Sequence, residues 1–181
     1  MVLGRLFGRT KKGSEAGSGP ERLRDAVRAR LGGEGEETVR IVAAIAGLLA
    51  CAAYADKDYS EVEEARVVEE LSRVRGLDRA GAAAIGAVLR EHIVEITSAE
   101  ASVYARELCD LCHRDLRLEL LDVLVDVAAE DEVISVRETN LLRNATQALG
   151  LSQDDYNASQ ARHRDKLSVL RTGAAEGEKG D

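Results

Sequence analysis

Apolar residues recur along most of this chain at intervals of three and four, the period of a helix with one buried face. Pro20 opens a first helix over Glu21–Leu31, with Leu23, Val27 and Leu31 on one side, and Gly32, Gly33 and Gly35 close it. A second helix is expected over Glu36–Ala55, with Val42, Ile45, Leu48, Leu49 and Ala52 on a broad apolar face. A third runs from Ser60 to Gly76 and turns Val67, Leu71 and Val74 inward. Asp78 caps a fourth that carries Ile85, Val88, Leu89, His92, Ile93 and Ile96. Ser98 caps a fifth that ends near Arg114, and a sixth covers about Asp115–Ala129. The seventh spans Ser135 to Gly150, and Ser152 caps an eighth that reaches about Leu170. No strand-like alternation interrupts this series. The pattern predicts an all-α helical bundle of about seven to eight helices with short connections. The expected organisation is a basic arm over 1–20, a helical domain over 21–170 and a polar tail over 171–181.

Composition narrows the class without naming a function. The chain has 181 residues, 45% of them apolar, with one Pro and 3% aromatics. That suits a helical domain and argues against a β-sandwich, a barrel or a disordered chain. Three Cys are too few for a disulfide scaffold. The net charge of −8 is unevenly spread: residues 1–30 carry +5 and the remainder −13. An acidic body repels a phosphate backbone, so nucleic acid is not an expected partner. In the Met1–Arg9 segment, Arg5 interrupts the apolar run that a secretory leader needs, so a cytoplasmic location is expected. Leu3, Leu6 and Phe7 beside Arg5, Arg9, Lys11 and Lys12 allow at most a peripheral membrane contact. No stretch reads as a transmembrane helix; the most apolar, 41–55, has the length of a core helix.

The chain also repeats itself. A shift of 75 residues lays Asp56 on Asp131, Ser60 on Ser135 and Glu63 on Glu138. Leu48, Leu49 and Val67 then fall on Val123, Leu124 and Leu142, and after one deletion Gly76-Leu77 falls on Gly150-Leu151. Each copy reads as an apolar helix, then D-x-x-x-S-x-x-E, then a helix closed by Gly-Leu. Two pseudo-repeated halves, about 36–77 and 111–152, are therefore expected to pack together, each too small to bury a core alone.

These segments carry a family resemblance. Ala53-Tyr-Ala-Asp56-Lys-Asp-Tyr-Ser-Glu-Val-Glu63 and Ala128-Ala-Glu-Asp131-Glu-Val-Ile-Ser-Val-Arg-Glu138 resemble the paired A-D-G-x-x-x-x-x-E turns of the TerB-like tellurite-resistance family. Leu149-Gly-Leu-Ser152 is similar too, and the resemblance covers about 36–168. It implies an all-α fold of two similar halves, acidic clusters proposed to bind metal, and a link to tellurite and stress resistance. The Gly that follows each family Asp is Lys57 in one copy and Glu132 in the other. A glycine there would supply a left-handed turn, so the turn geometry is the point to test.

The candidate chemistry is divalent cation binding at two acidic interhelical turns, with Asp56, Asp58 and Glu63 around one and Asp131 and Glu138 at the equivalent one; Glu130 and Glu132 are nearby. Hard cations take carboxylate oxygens, and converging carboxylates repel one another without one. Capping offers a competing account, because Ser60-x-x-Glu63 and Ser135-x-x-Glu138 both spell capping boxes. Capping explains the Ser and Glu but not the Asp, which follows a helix C-terminus where negative charge costs about 0.3–1 kcal/mol. The loop is no EF-hand, since position twelve from Asp56 is Val67 rather than a bidentate Glu.

Cys109-Asp-Leu-Cys112-His113 spells the C-x-x-C-H haem-attachment pattern. It lies in a predicted helix without an export signal, supplies too few ligands for zinc, and lacks the βαβ context of a redox motif. Small core residues are the reading taken for both Cys and for Cys51. His92 reads as a core-edge residue and His163 as solvent-facing. No nucleophile elbow, phosphate-binding loop or dinucleotide fingerprint occurs, and no enzyme is expected. The functional expectation is a non-enzymatic cytoplasmic stress-response module that binds a divalent cation and engages protein partners. The alternative is a metal-independent interaction scaffold that uses its acidic surface, with the arm at the inner membrane surface.

Overall fold

The computed structural model describes residues 18–74, 76–128 and 135–164. Among these residues every regular element is a helix. The order is α1 (Gly19–Arg30), α2 (Glu36–Ala53), α3 (Glu61–Ser72), α4 (Arg79–Ser98), α5 (Ala101–Leu111), α6 (Arg114–Ala128) and α7 (Val136–Ala148). An eighth, α8, covers 153–164, the last described residues. None of the described helices is long and apolar enough to cross a membrane.

The apolar face predicted for α2 is wider than a stripe. Thirteen of its eighteen residues are buried, including the run from Val42 to Ala53. A helix buried nearly all round is a central strut, and α2 packs against α1, α3, α4, α5, α6 and α7. Small residues let its neighbours approach. A Cβ placed on Gly47 would stand 2.4 Å from the ring of Tyr104 on α5. The Tyr104 hydroxyl donates to the Ile96 carbonyl at 2.9 Å, so this buried ring is also satisfied. Glu107 of α5 accepts from Arg24 of α1 and from Arg40 of α2 at 3.0 and 2.8 Å, tying three helices at their rims.

Several helix ends differ from the sequence expectation for local reasons. The first helix begins at Gly19 because the Ser18 amide donates to Glu21 Oε2 at 2.7 Å, so Ser18 rather than Pro20 sets its start. Ser98 does not cap α5. It is the last residue of α4, its hydroxyl donates back to the Glu95 carbonyl, and Glu100 takes the N-cap position. The fifth helix stops at Leu111, because Cys112 is extended (φ −113°, ψ 143°). His92 sits at a kink in α4, with φ −123° and ψ 24°. His163 is not solvent-facing: its ring is 14% exposed and Nδ1 lies 2.7 Å from Asp126 on α6. The Gly-Leu stops behave as expected, with Gly76 at φ 88° and Gly150 at φ 67° closing α3 and α7. The arm and the tail predicted at either end lie outside the described residues, apart from 18–20.

Candidate functional site

Two short segments build the candidate site, the connection between α2 and α3 and the start of α7. The first is held by its own side chains. The Asp58 amide donates to Asp56 Oδ1 at 2.8 Å, and the Tyr59 amide donates to Asp58 Oδ1 at 3.0 Å. Such Asx bonds let a short acid stand in for backbone in a turn. Lys57 between them adopts φ 80°, the one non-glycine residue with a positive φ among the described residues. The left-handed turn that a glycine would supply is therefore made by lysine, against a steric cost of roughly 1–2 kcal/mol.

Capping boxes follow in both segments. The Ser60 amide donates to Glu63 Oε2 at 2.6 Å, and the Glu63 amide returns a bond to Ser60 Oγ at 3.2 Å. The Ser135 amide donates to Glu138 Oε2 at 2.5 Å, with the return bond also 3.2 Å. The repeated Ser and Glu thus do the local work that the capping account assigns them. Each bond engages one carboxylate oxygen, and a carboxylate has two.

Asp56, Asp58, Glu63 and Glu138 line a single pocket of about 310 Å³. Ala52, Val127 and Ala128 form its apolar wall. Residues about 75 positions apart in sequence therefore meet in space. Burial raises the Glu63 carboxyl above its ordinary value; the bonds to Ser60 oppose this, and the charges of Asp56 and Asp58 add to it. Asp131, Glu130 and Glu132 lie outside the described residues. Among the described residues no three His, Cys, Asp or Glu side chains stand close enough to hold a metal ion. The donor chemistry is that of a hard cation. The four described carboxylates do not make a complete cage.

The other sequence candidates are placed as follows. Cys51 and Cys112 are buried, Cys109 is half-buried, and all three are free thiols. Burial pushes the Cys51 thiol up to about 12. Cys109 Sγ accepts from Arg117 at 3.2 Å, and the same Arg117 nitrogen donates to the Leu149 carbonyl at 2.6 Å. These are packing roles at the seam of α5, α6 and the α7 end. Sequence reasoning missed an apolar groove of about 480 Å³ among α2, α3 and α6, which includes Ile41, Ile45, Val74 and Leu120. The spacing places Val42, Ile45, Leu49 and Val74 of this groove on inward faces, and periodicity does not tell a covered apolar face from an open one.

A family model described as tellurite resistance protein TerB matches residues 42–161, which include every candidate carboxylate. Comparison with curated proteins gives no match, and comparison with solved structures gives none.

Proposed function

The chain belongs to the TerB family of tellurite resistance proteins, and from that premise we propose a non-enzymatic cytoplasmic module that couples divalent cation binding to protein partners. The observation that carries this reading is the shared pocket of Asp56, Asp58, Glu63 and Glu138. The charges of Asp56 and Asp58 already bear on Glu63, and a cation drawn into the pocket would remove that repulsion and fix the angle between the helices. The ion takes the carboxylate oxygens that the capping bonds leave, and the sequence repeat offers Asp131 as a further ligand. Coupling follows if partners read the helix angle that the ion sets.

Titration calorimetry with calcium, magnesium, manganese and zinc tests this on the full chain, alongside thermal melts with and without chelator. The expected result is saturable binding and a raised melting temperature, both lost in Asp56→Asn/Asp131→Asn. No binding by any of the four, with unchanged stability in the double variant, sinks the cation reading. A second reading, a metal-independent scaffold, is favoured by the backbone bonds that already occupy these carboxylates. It predicts partner binding that falls with salt and ignores chelators.

A further inference from the structure

The turn that carries the acids also carries a cation, which faces a different cavity. Lys57 and Arg137 line a pocket of about 280 Å³ together with Thr97, Glu100, Ser102 and Asn144. Lys57 comes from the α2–α3 turn, Arg137 from the first turn of α7, and Glu100 and Ser102 from the start of α5. Its walls thus come from three separate parts of the chain.

Both cations are exposed, and, like Arg30, Arg79, Arg143 and Arg164, neither is held in an ion pair among the described residues. Most described arginines are tied into ion pairs or carbonyl bonds, such as Arg24, Arg28, Arg73, Arg90, Arg114 and Arg162. Arg137 makes no hydrogen bond or ion pair among the described residues. The Lys57 ammonium has only the face of Tyr54, 5.0 Å from its centroid. Lysine also holds its backbone at φ 80°, where glycine would be cheaper. A long cationic side chain kept at a sterically costly position suits a role for that charge. The pocket also contains Ala101 and Ser102, the first residues of α5, whose N-cap Glu100 makes no side-chain capping bond.

We propose that this pocket binds a small oxyanion that retains a proton, of the hydrogen phosphate class. Lys57 and Arg137 supply the opposing charge, and Arg137 presents a fork of donors matched to two oxygens. Asn144 adds a neutral donor, while the Ser102 hydroxyl donates to Glu100 Oε2 at 3.4 Å and holds that carboxylate at the pocket. Glu100 sets the selectivity. A carboxylate in an anion pocket repels a fully ionised oxyanion but accepts a hydrogen bond from one that carries a hydroxyl. Phosphate keeps a proton at neutral pH and sulfate does not, so the pocket takes phosphate and rejects sulfate. This site is separate from the acidic pocket and needs no metal.

The test is calorimetric titration of inorganic phosphate into the full chain at low ionic strength, with chelator present. Saturable binding is expected, with sulfate at least tenfold weaker. Arg137→Ala and Lys57→Gly should each weaken phosphate by about tenfold, as expected for loss of one charge-assisted contact. Lys57→Gly removes the ammonium at a backbone position that glycine tolerates. Glu100→Gln should abolish the discrimination, so that sulfate binds nearly as well as phosphate. Phosphoserine forms a second arm: tighter binding than phosphate assigns the site to phosphomonoesters, the reverse order to the free anion, and either supports the site. Absence of saturable binding, wild-type affinity in both cation variants, or equal affinity for sulfate in the wild type would each overturn it. Because chelator is present throughout, failure here leaves the cation reading of the acidic pocket standing, and the reverse also holds.

Discussion

The two sides of the α2–α3 turn carry opposite charge on adjacent residues. Asp56 and Asp58 line the acidic pocket, and Lys57 between them lines the basic one. The start of α7 repeats the division, with Glu138 on the acidic side and Arg137 on the basic side. Yet the acids are already engaged with backbone amides, through Asx bonds and capping boxes. Arg137 is engaged with nothing among the described residues. The lesson is that density of charge in sequence is a poor guide to free binding capacity. The conspicuous acids do local structural work first, whereas Lys57 rests only on the Tyr54 ring and Arg137 has no such work among the described residues.

If α7 is the strut common to both pockets, unseating it should damage the fold most. Leu142 on α7 is fully buried. Leu142→Ala should cost about 2–5 kcal/mol in urea denaturation, the range for a truncated core leucine. A cost under about 1 kcal/mol, well below that range, would mean that α7 is not firmly seated and that the two pockets do not share a rigid wall.

The next effect separates the two capping boxes. Their bonds are alike in length, but those of Ser60 are partly buried and those of Ser135 are exposed. Water replaces a lost bond more easily at the exposed site. Ser60→Ala should cost about 1–2 kcal/mol and Ser135→Ala about 0.5–1 kcal/mol by chemical denaturation. Equal costs would show that burial does not distinguish the two turns.

This contrast also marks what the sequence made legible. Helix number, the central role of 41–55, both capping boxes and both Gly-Leu stops follow from spacing and local chemistry. The helix starts at Ser18 and after Glu100 do not, because several residues compete for a cap and the local bonds of Ser18 with Glu21 and of Ser98 with Glu95 decide between them. Acidic candidates were visible because Asp56, Ser60 and Glu63 recur at a fixed offset. That Glu138 shares a pocket with Glu63 was not, since only the packed bundle brings 63 and 138 together. Lys57 was noticed as an absent glycine rather than as a present ammonium. Arg137 carried no signal at all, lying between a repeated Ser and a repeated Glu that drew attention away from it.

A smaller effect isolates the backbone of Lys57 from its charge. Lys57→Ala and Lys57→Gly both remove the ammonium, but alanine keeps a Cβ at φ 80°. The alanine variant should be less stable than the glycine variant by about 0.5–1 kcal/mol in thermal or chemical melts. Equal stability would mean the turn relaxes out of the left-handed region, and the case for a costly, retained lysine would fall with it.

The smallest effect is the most informative about the acidic side. Burial holds the Glu63 carboxyl above its ordinary value of 4.5, with Asp56 and Asp58 adding to the rise. An acid with a raised value in the fold binds its proton more tightly folded than unfolded. Its contribution is therefore fully present below pH 4.5 and is lost as pH rises from there through the raised value. Glu63→Gln keeps the capping geometry and removes the titration. The wild type should lose stability relative to Glu63→Gln as pH rises through that window, by a small amount because solvent screens a half-buried group. A divalent cation in the pocket reverses the sign, because it favours the ionised form and pulls the carboxyl down. With calcium or magnesium added, the wild type should gain stability relative to Glu63→Gln as pH rises. A slope that keeps its sign with every cation tried would leave the acids as capping groups and the turn's only open charge on its basic side.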